Sequence, residues 1–185
     1  MTSLTINSYN TGSKLVKNFD EVQFKYFLAG FIEGEGSLCV SIKRVPTAKY
    51  GFVLDPEFFI YQHISGLPIL HAAKAYFRTG SIQKKSGSTD VYQFYIGNRI
   101  ALVEKVIPYF KKYVLPFSCK FSDFHLFEKI VLDLQAKKHS DLTHFFDLLQ
   151  LTYQLNPTSK GKKRKYTLDT IHNIILRDYT PNVQS

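Results

Sequence analysis

Cysteine is scarce: Cys39 and Cys119 are the only two among the 185 residues. They lie far apart and in different expected elements. That excludes a disulfide framework or a cysteine zinc site, and it places the chain in a reducing compartment. Long hydrophobic runs are also missing, so no segment reaches the roughly 20 residues that cross a bilayer, and no membrane partner is expected. The stretch Met1–Lys17 is polar and lacks the apolar centre of a signal peptide. Residues 1–18 are expected to form a flexible arm, with Lys14 and Lys17 able to touch phosphate, and 19–185 a single domain.

Negative charge is in short supply. Only 15 Asp and Glu stand against 24 Lys and Arg, for a net charge of +9 and a pI near 9.4. This balance points to a polyanionic partner, most simply nucleic acid, though ribosomal and membrane-surface proteins share it. The histidines (His63, His71, His125, His139, His144 and His172) are scattered without zinc spacing. What the chain has is apolar bulk: 44% hydrophobic residues, with 16 Phe and 12 Tyr, which excludes disorder.

The pattern changes along the chain. Asp20 is a good N-cap, and Val22 to Gly34 follows helical spacing. Ser37 to Lys43 then alternates, with Leu38, Val40 and Ile42 on one face and Ser37, Cys39, Ser41 and Lys43 on the other. A second strand is expected from Leu54 to Ile64, then a short helix over Ile69–Phe77. Strands Gly80–Lys85 and Thr89–Ile96 follow, joined through Ser86-Gly87-Ser88. The rest reads as helix: from Asn98 to Tyr113, from beyond Pro116 to Lys138, over Asp141–Leu155, and from Leu168 to Tyr179 behind a Thr167 cap. The order αββαββα with extra C-terminal helices makes an α+β chain with no internal repeat.

Phe27-Leu28-Ala29-Gly30-Phe31-Ile32-Glu33-Gly34-Glu35-Gly36 is the most informative stretch. Gly30 and Gly34, with Ala29 beside them, let a second such helix approach almost backbone to backbone. Glu35 would then meet its counterpart, and two carboxylates forced together need a cation between them, Mg²⁺ above all. The same residues also suit an ordinary core helix ended by a left-handed glycine, with Glu35 a solvated charge.

The strands share a design, apolar on one face and polar, aromatic and basic on the other. On the outer face stand Lys43, then Glu57, Phe59, Tyr61 and His63, then Ser81, Gln83 and Lys85, then Val91, Gln93 and Tyr95. A two-stranded ribbon fits the major groove, where Gln pairs with adenine and Lys with guanine, whereas the plain alternative is a wetted surface. The basic run Lys160, Lys162, Lys163, Arg164 and Lys165 is either a solvated loop or a grip on phosphates.

Leu28 to Gly36, reading LAGFIEGEG, resembles the motif of the LAGLIDADG homing endonucleases, and the resemblance extends over about Asp20 to Lys138. Asp55-Pro56-Glu57-Phe58, Gln62-His63, Thr79-Gly80-Ser81-Ile82 and Lys85-Ser86-Gly87-Ser88 are similar to the branch encoded in introns of organellar large-subunit ribosomal RNA genes. The resemblance implies a LAGLIDADG-type core with a curved four-stranded antiparallel sheet. With one motif only, it implies a homodimer that binds a long, partly palindromic DNA duplex and makes a metal-dependent double-strand break with 3′ overhangs. It implies a home in a chloroplast or mitochondrion and, as the rival activity, a non-cleaving binder such as an RNA maturase. Glu35 would act in catalysis and bind metal, with the Gly34 carbonyl beside it. The ion would be Mg²⁺, replaceable by Mn²⁺, with Ca²⁺ bound but not supporting cleavage. Gln62 would order active-site water, and a basic residue near the cut would be Lys120, with Ser118 the other alignment. Leu28, Ala29, Gly30, Phe31 and Gly34 would form the dimer interface, and Glu33 would lie at the helix surface or cap.

Overall fold

The computed structural model describes residues 20–155 and 164–179. Their elements run α1 (Glu21–Glu35), β1 (Gly36–Arg44), β2 (Phe52–His63), α2 (Leu67–Phe77), β3 (Ser81–Lys84), β4 (Val91–Ile96), α3 (Arg99–Ala101), α4 (Ile107–Tyr109), α5 (Phe121–Gln135), α6 (Leu142–Gln154) and α7 (Leu168–Asp178). The strands form the curved four-stranded antiparallel sheet expected of this α+β chain, in the order β1–β2–β4–β3.

Local chemistry sets most boundaries. The Asp20 carboxylate accepts from the Val22 N–H at 2.9 Å, and Asn98 Oδ1 accepts from the Ala101 N–H at 3.0 Å. Asp141 and Thr167 cap α6 and α7 in the same way. Helix α2 starts at Leu67, not Ile69, with Pro68 in its first turn, because the missing N–H has no partner there anyway. The expected helix Asn98–Tyr113 is less regular than its periodicity predicts. Wide π turns over Leu102–Val106 and Phe110–Val114 precede Pro108 and Pro116, and a 3₁₀ turn, Leu115–Phe117, closes the run. A proline ring clashes with the carbonyl four residues back, and a wider turn relieves that clash. The next long helix stops at Gln135, not Lys138, with Lys137 in the left-handed region at φ 58°.

The described residues divide into two compact units, those up to Leu38 with Glu57–Ser122, and Cys39–Pro56 with those from Asp123 onward. In the first, Phe24, Leu28, Ile32, Ile60, Leu70, Phe94 and Leu102 are buried, and Phe58 sets its ring edge-on to Phe77 and Phe110. Each such aromatic contributes roughly 2–3 kcal/mol of burial. The Tyr109 hydroxyl donates to the Lys25 carbonyl at 2.6 Å, tying α1 to α4. In the second, Phe52, Leu54, Phe124, Phe127, Ile130, Phe145, Leu149, Ile171 and Ile175 are buried, and the Tyr50 hydroxyl donates to the Ser140 carbonyl at 2.7 Å.

The passage from α1 to β1 has no loop, and Gly36 makes that possible. Its backbone is extended (φ −83°, ψ 145°), so the left-handed cap considered from sequence is not what ends α1. Its N–H donates to the Ile32 carbonyl, and a Cβ there would lie 2.5 Å from that same oxygen. Gly36→Ala should therefore cost roughly 1–3 kcal/mol in urea unfolding. Gly34→Ala, whose Cβ meets nothing within 4 Å among the described residues, should cost the single chain none.

Candidate functional site

Helix α1 has two faces. Phe24, Leu28, Ala29 and Ile32 are buried, whereas Val22, Tyr26 and Phe27 are 54%, 61% and 50% exposed. Gly30 and Gly34 continue that open stripe, and a Cβ at either meets nothing within 4 Å among the described residues. Phe31, stacked on Phe27 at 5.8 Å, is half-buried at its edge. Leu28 and Ala29, expected at an interface with a second copy, are buried within the single chain. At 100° per residue they turn away from the Gly30 stripe and into the chain's own core.

Glu35 ends α1 with its side chain exposed. A carboxylate there opposes the negative end of the helix dipole, an arrangement that only a cation makes favourable. The last carbonyls of a helix lack partners within it, and of these the Ile32 oxygen is taken by Gly36. The Glu35 carboxylate and the Gly34 carbonyl are hard oxygen donors of the kind Mg²⁺ accepts. Among the described residues no cluster of three or more His, Cys, Asp or Glu could hold a metal. One chain thus offers a partial ligand set, which suits an ion completed by water, phosphate or a second copy.

Glu33 lies at the helix surface, partly buried, and is engaged by a distant segment. Its Oε2 accepts from Ser118 Oγ at 2.5 Å, and its Oε1 from the Cys119 N–H at 3.1 Å and the Cys119 thiol at 2.9 Å. Ser118 Oγ in turn accepts from the Lys120 N–H at 2.9 Å. Partial burial pushes the Glu33 carboxyl up, but these hydrogen bonds and the Lys120 charge outweigh it and hold the group below the usual range. The clamp is complete above the ordinary glutamate range and loosens as pH falls through the depressed value. Residues two apart on a helix diverge by about 200°, so Glu35 points away from the side that holds Ser118.

Because β1 and β2 are neighbours closed by the Val45 N–H to Gly51 carbonyl bond, the start of β1, next to Glu35, lies beside the end of β2, where Gln62 stands. Gln62 Oε1 accepts from the His63 N–H at 2.9 Å, and its side chain fills the space a Cβ on Gly66 would need, 2.7 Å from Gln62 Cγ. His63 is exposed and bonds Ser65 through Nδ1.

The outer sheet residues fall into rows. Phe59, Tyr95 and Ser81 are aligned, as are Tyr61, Gln93 and Gln83. His63 pairs with Val91, whose carbonyl accepts from the Lys85 N–H at 2.8 Å. Phe59 stacks on Tyr61 at 5.6 Å and on Tyr95 at 5.9 Å. Phe59, expected in solvent, is corrected: its neighbours cover it to 9% exposure, leaving Tyr61 and Tyr95 half-buried around it. The Lys85 ammonium sits 4.6 Å over the Tyr61 ring. Glu57 stands beside Gly97 at the end of this face.

In the second unit Lys43 is ion-paired with Asp55. Arg164 donates to the carbonyls of Val40 at 3.2 Å and Thr152 at 2.6 Å, so this member of the basic run holds backbone together. The Lys165 ammonium lies 5.4 Å over Tyr166. Lys160, Lys162 and Lys163, like the expected arm 1–18, fall outside the described residues. No helix among the described residues is long and apolar enough to cross a membrane.

Comparison with known proteins adds an independent line. The profile of a family described as "LAGLIDADG endonuclease" matches residues 28–131. DNA endonuclease I-CeuI of Chlamydomonas moewusii is 50% identical over 103 residues, 54% of this chain and 47% of that protein, so the chain matches about half of that relative's length. Homing endonuclease I-ApeII of Aeropyrum pernix is 31% identical over 161 residues, 86% of this chain and 94% of that one. Among solved structures, I-CeuI complexed with DNA superposes with a TM-score of 0.77 at 34% identity, covering 83% of this chain and 76% of the other. The archaeal intron-encoded I-Vdi141I complexed with DNA gives 0.77 at 33% identity, with 85% and 97% covered.

Proposed function

The chain belongs to the LAGLIDADG endonuclease family, and we propose that it is a homing endonuclease that cuts both strands of a specific DNA duplex as a homodimer. The observation that carries this reading is the bare stripe of Gly30 and Gly34 ending at the exposed carboxylate of Glu35. A mid-helix glycine costs about 1 kcal/mol relative to alanine, and nothing among the described residues of one chain requires it. A close-packed second α1 does, and it brings the second Glu35 that completes the ligand set.

The outer rows Phe59–Tyr95–Ser81 and Tyr61–Gln93–Gln83 would lie in the major groove. The glutamines and Lys85 are the base-reading groups, and Phe59 is the floor that holds Tyr61 and Tyr95 in place. A two-fold dimer then requires a long, partly palindromic site with one cut per strand, and the family resemblance implies 3′ overhangs. Glu35 and the Gly34 carbonyl would hold a divalent ion, Mg²⁺ or Mn²⁺, which when bound neutralises the phosphate and makes water a better nucleophile. Gln62, beside the start of β1, would orient that water. Lys120, held near Glu33, would stabilise charge on the leaving oxygen. Relatives named as intron-encoded endonucleases in Neurospora crassa and Mycosarcoma maydis support an intron setting. We place the target in an organellar large-subunit ribosomal RNA gene and read residues 19–185 as one functional domain.

The test is incubation with plasmid carrying an uninterrupted large-subunit ribosomal RNA gene. Mg²⁺ should give a linear product with short 3′ overhangs, EDTA should stop the reaction, and Ca²⁺ should support retention in gel shift without cutting. Tight binding to intron RNA with no DNA scission in Mg²⁺ would instead favour a maturase.

A further inference from the structure

Glu33 carries no role in the reading above, yet its carboxylate receives three hydrogen bonds from Ser118 and Cys119, 85 and 86 positions away in sequence. We infer that Glu33 is a positioning residue, which locks segment 118–120 against the C-terminal end of α1 and so fixes where the Lys120 ammonium stands relative to Glu35. This rests on the proposed assistance of Lys120 in cleavage.

Apolar packing does not hold the segment. Phe117 before it is 93% exposed and Phe121 after it 54%, while Cys119 is itself exposed. It bridges the end of a 3₁₀ turn, where the Ser118 N–H donates to the Leu115 carbonyl at 3.2 Å, and the start of α5, whose first N–H groups have no partner within the helix. Glu33 takes the Cys119 N–H, and Ser118 Oγ takes the Lys120 N–H. Each carboxylate oxygen is used, and the single Ser118 hydroxyl proton goes to Glu33, leaving its oxygen to accept the Lys120 N–H. The lysine backbone is thereby tied to α1 through one side chain, Ser118. Two acids two positions apart thus do separate work: Glu33 grips a distant loop, and Glu35 faces outward.

Glu33→Gln keeps shape but leaves one oxygen where two accepted. In single-turnover cleavage of a preformed complex started with Mg²⁺, the rate should fall about 10- to 100-fold, the usual consequence of a misplaced group. Duplex affinity in Ca²⁺ should hold, and the unfolding midpoint should fall slightly with the lost charge-assisted bonds. Ser118→Ala, which cuts the same link from the other end, should act in the same direction, and Glu33→Asp should lie between parent and Glu33→Gln. In a Lys120→Met background, Glu33→Gln should cost nothing further. Losses that multiply would show that Glu33 acts elsewhere and overturn the inference. Full activity of Lys120→Met alone would remove the lysine's assigned role and, with it, any positioning role for Glu33. A readout free of cleavage is alkylation of Cys119 by iodoacetamide, followed by peptide mass. Loss of its acceptor should speed that reaction several-fold in Glu33→Gln, and an unchanged rate would mean that no such clamp exists in solution.

Discussion

Glu35→Gln should leave a protein that folds, assembles and binds its duplex in Ca²⁺ but has lost cleavage by at least about 10³-fold, on the order of 4 kcal/mol of transition-state stabilisation. The amide is isosteric with the carboxylate, so packing does not change. What disappears is the charge that balances a divalent ion at the helix end. Folding should improve slightly, because a negative charge at a helix C-terminus is unfavourable by roughly 0.3–1 kcal/mol and is removed here. The two signs separate a functional acid from a structural one. Glu33→Gln loses hydrogen bonds that the chain itself makes, whereas Glu35→Gln loses none among the described residues. Conversion of supercoiled plasmid to nicked and linear forms measures the effect. Equal nicking by parent and variant would remove Glu35 from the chemistry.

The sequence made those parts of the fold legible that depend on neighbours in the chain. The caps at Asp20, Asn98, Asp141 and Thr167 are local hydrogen bonds, and the alternation from Leu38 to Lys43 is a local period, so both could be read directly. The rows Phe59–Tyr95–Ser81 and Tyr61–Gln93–Gln83 depend on register, which the hairpin turn and the apolar inner face specify together. What escaped needed distance or phase. The Glu33 clamp joins residues 85 apart, and no periodicity records that. The two carbonyl bonds of Arg164 reach Val40 and Thr152 from inside a run whose charge pattern suggests only solvent or phosphate. Leu28, Ala29 and Gly30 read as one block in the motif. On the helix, consecutive residues face different ways, and only the phase against the buried Phe24 and Ile32 separates core from interface. The π turns before Pro108 and Pro116 show the reverse case: the signal was present in the prolines, but helical spacing on both sides masked it.

Gly30→Leu should separate folding from assembly. Inside one chain the new side chain points into open space, since a Cβ at Gly30 meets nothing within 4 Å among the described residues. Replacing a mid-helix glycine with a good helix former should raise the unfolding free energy by about 0.5–1 kcal/mol. Between two chains the effect reverses. Helices that meet through glycine backbones have no room for a branched four-carbon side chain at the crossing, and forcing it there costs at least the roughly 1–3 kcal/mol of an overpacked core, once for each subunit. Light scattering should therefore report single chains where the parent forms dimers, circular dichroism should show a melting point equal to or above the parent's, and double-strand cleavage should vanish because one Glu35 cannot complete the ligand set. A dimeric, fully active variant would move the interface away from the stripe of Tyr26, Phe27, Gly30 and Gly34. A variant that fails to fold would show that this face is packed within the chain, leaving the glycines with a structural role. The pairing of greater stability with lost assembly is the diagnostic result, because a residue that lowers the stability of its own helix while permitting close approach is explained only by what approaches it.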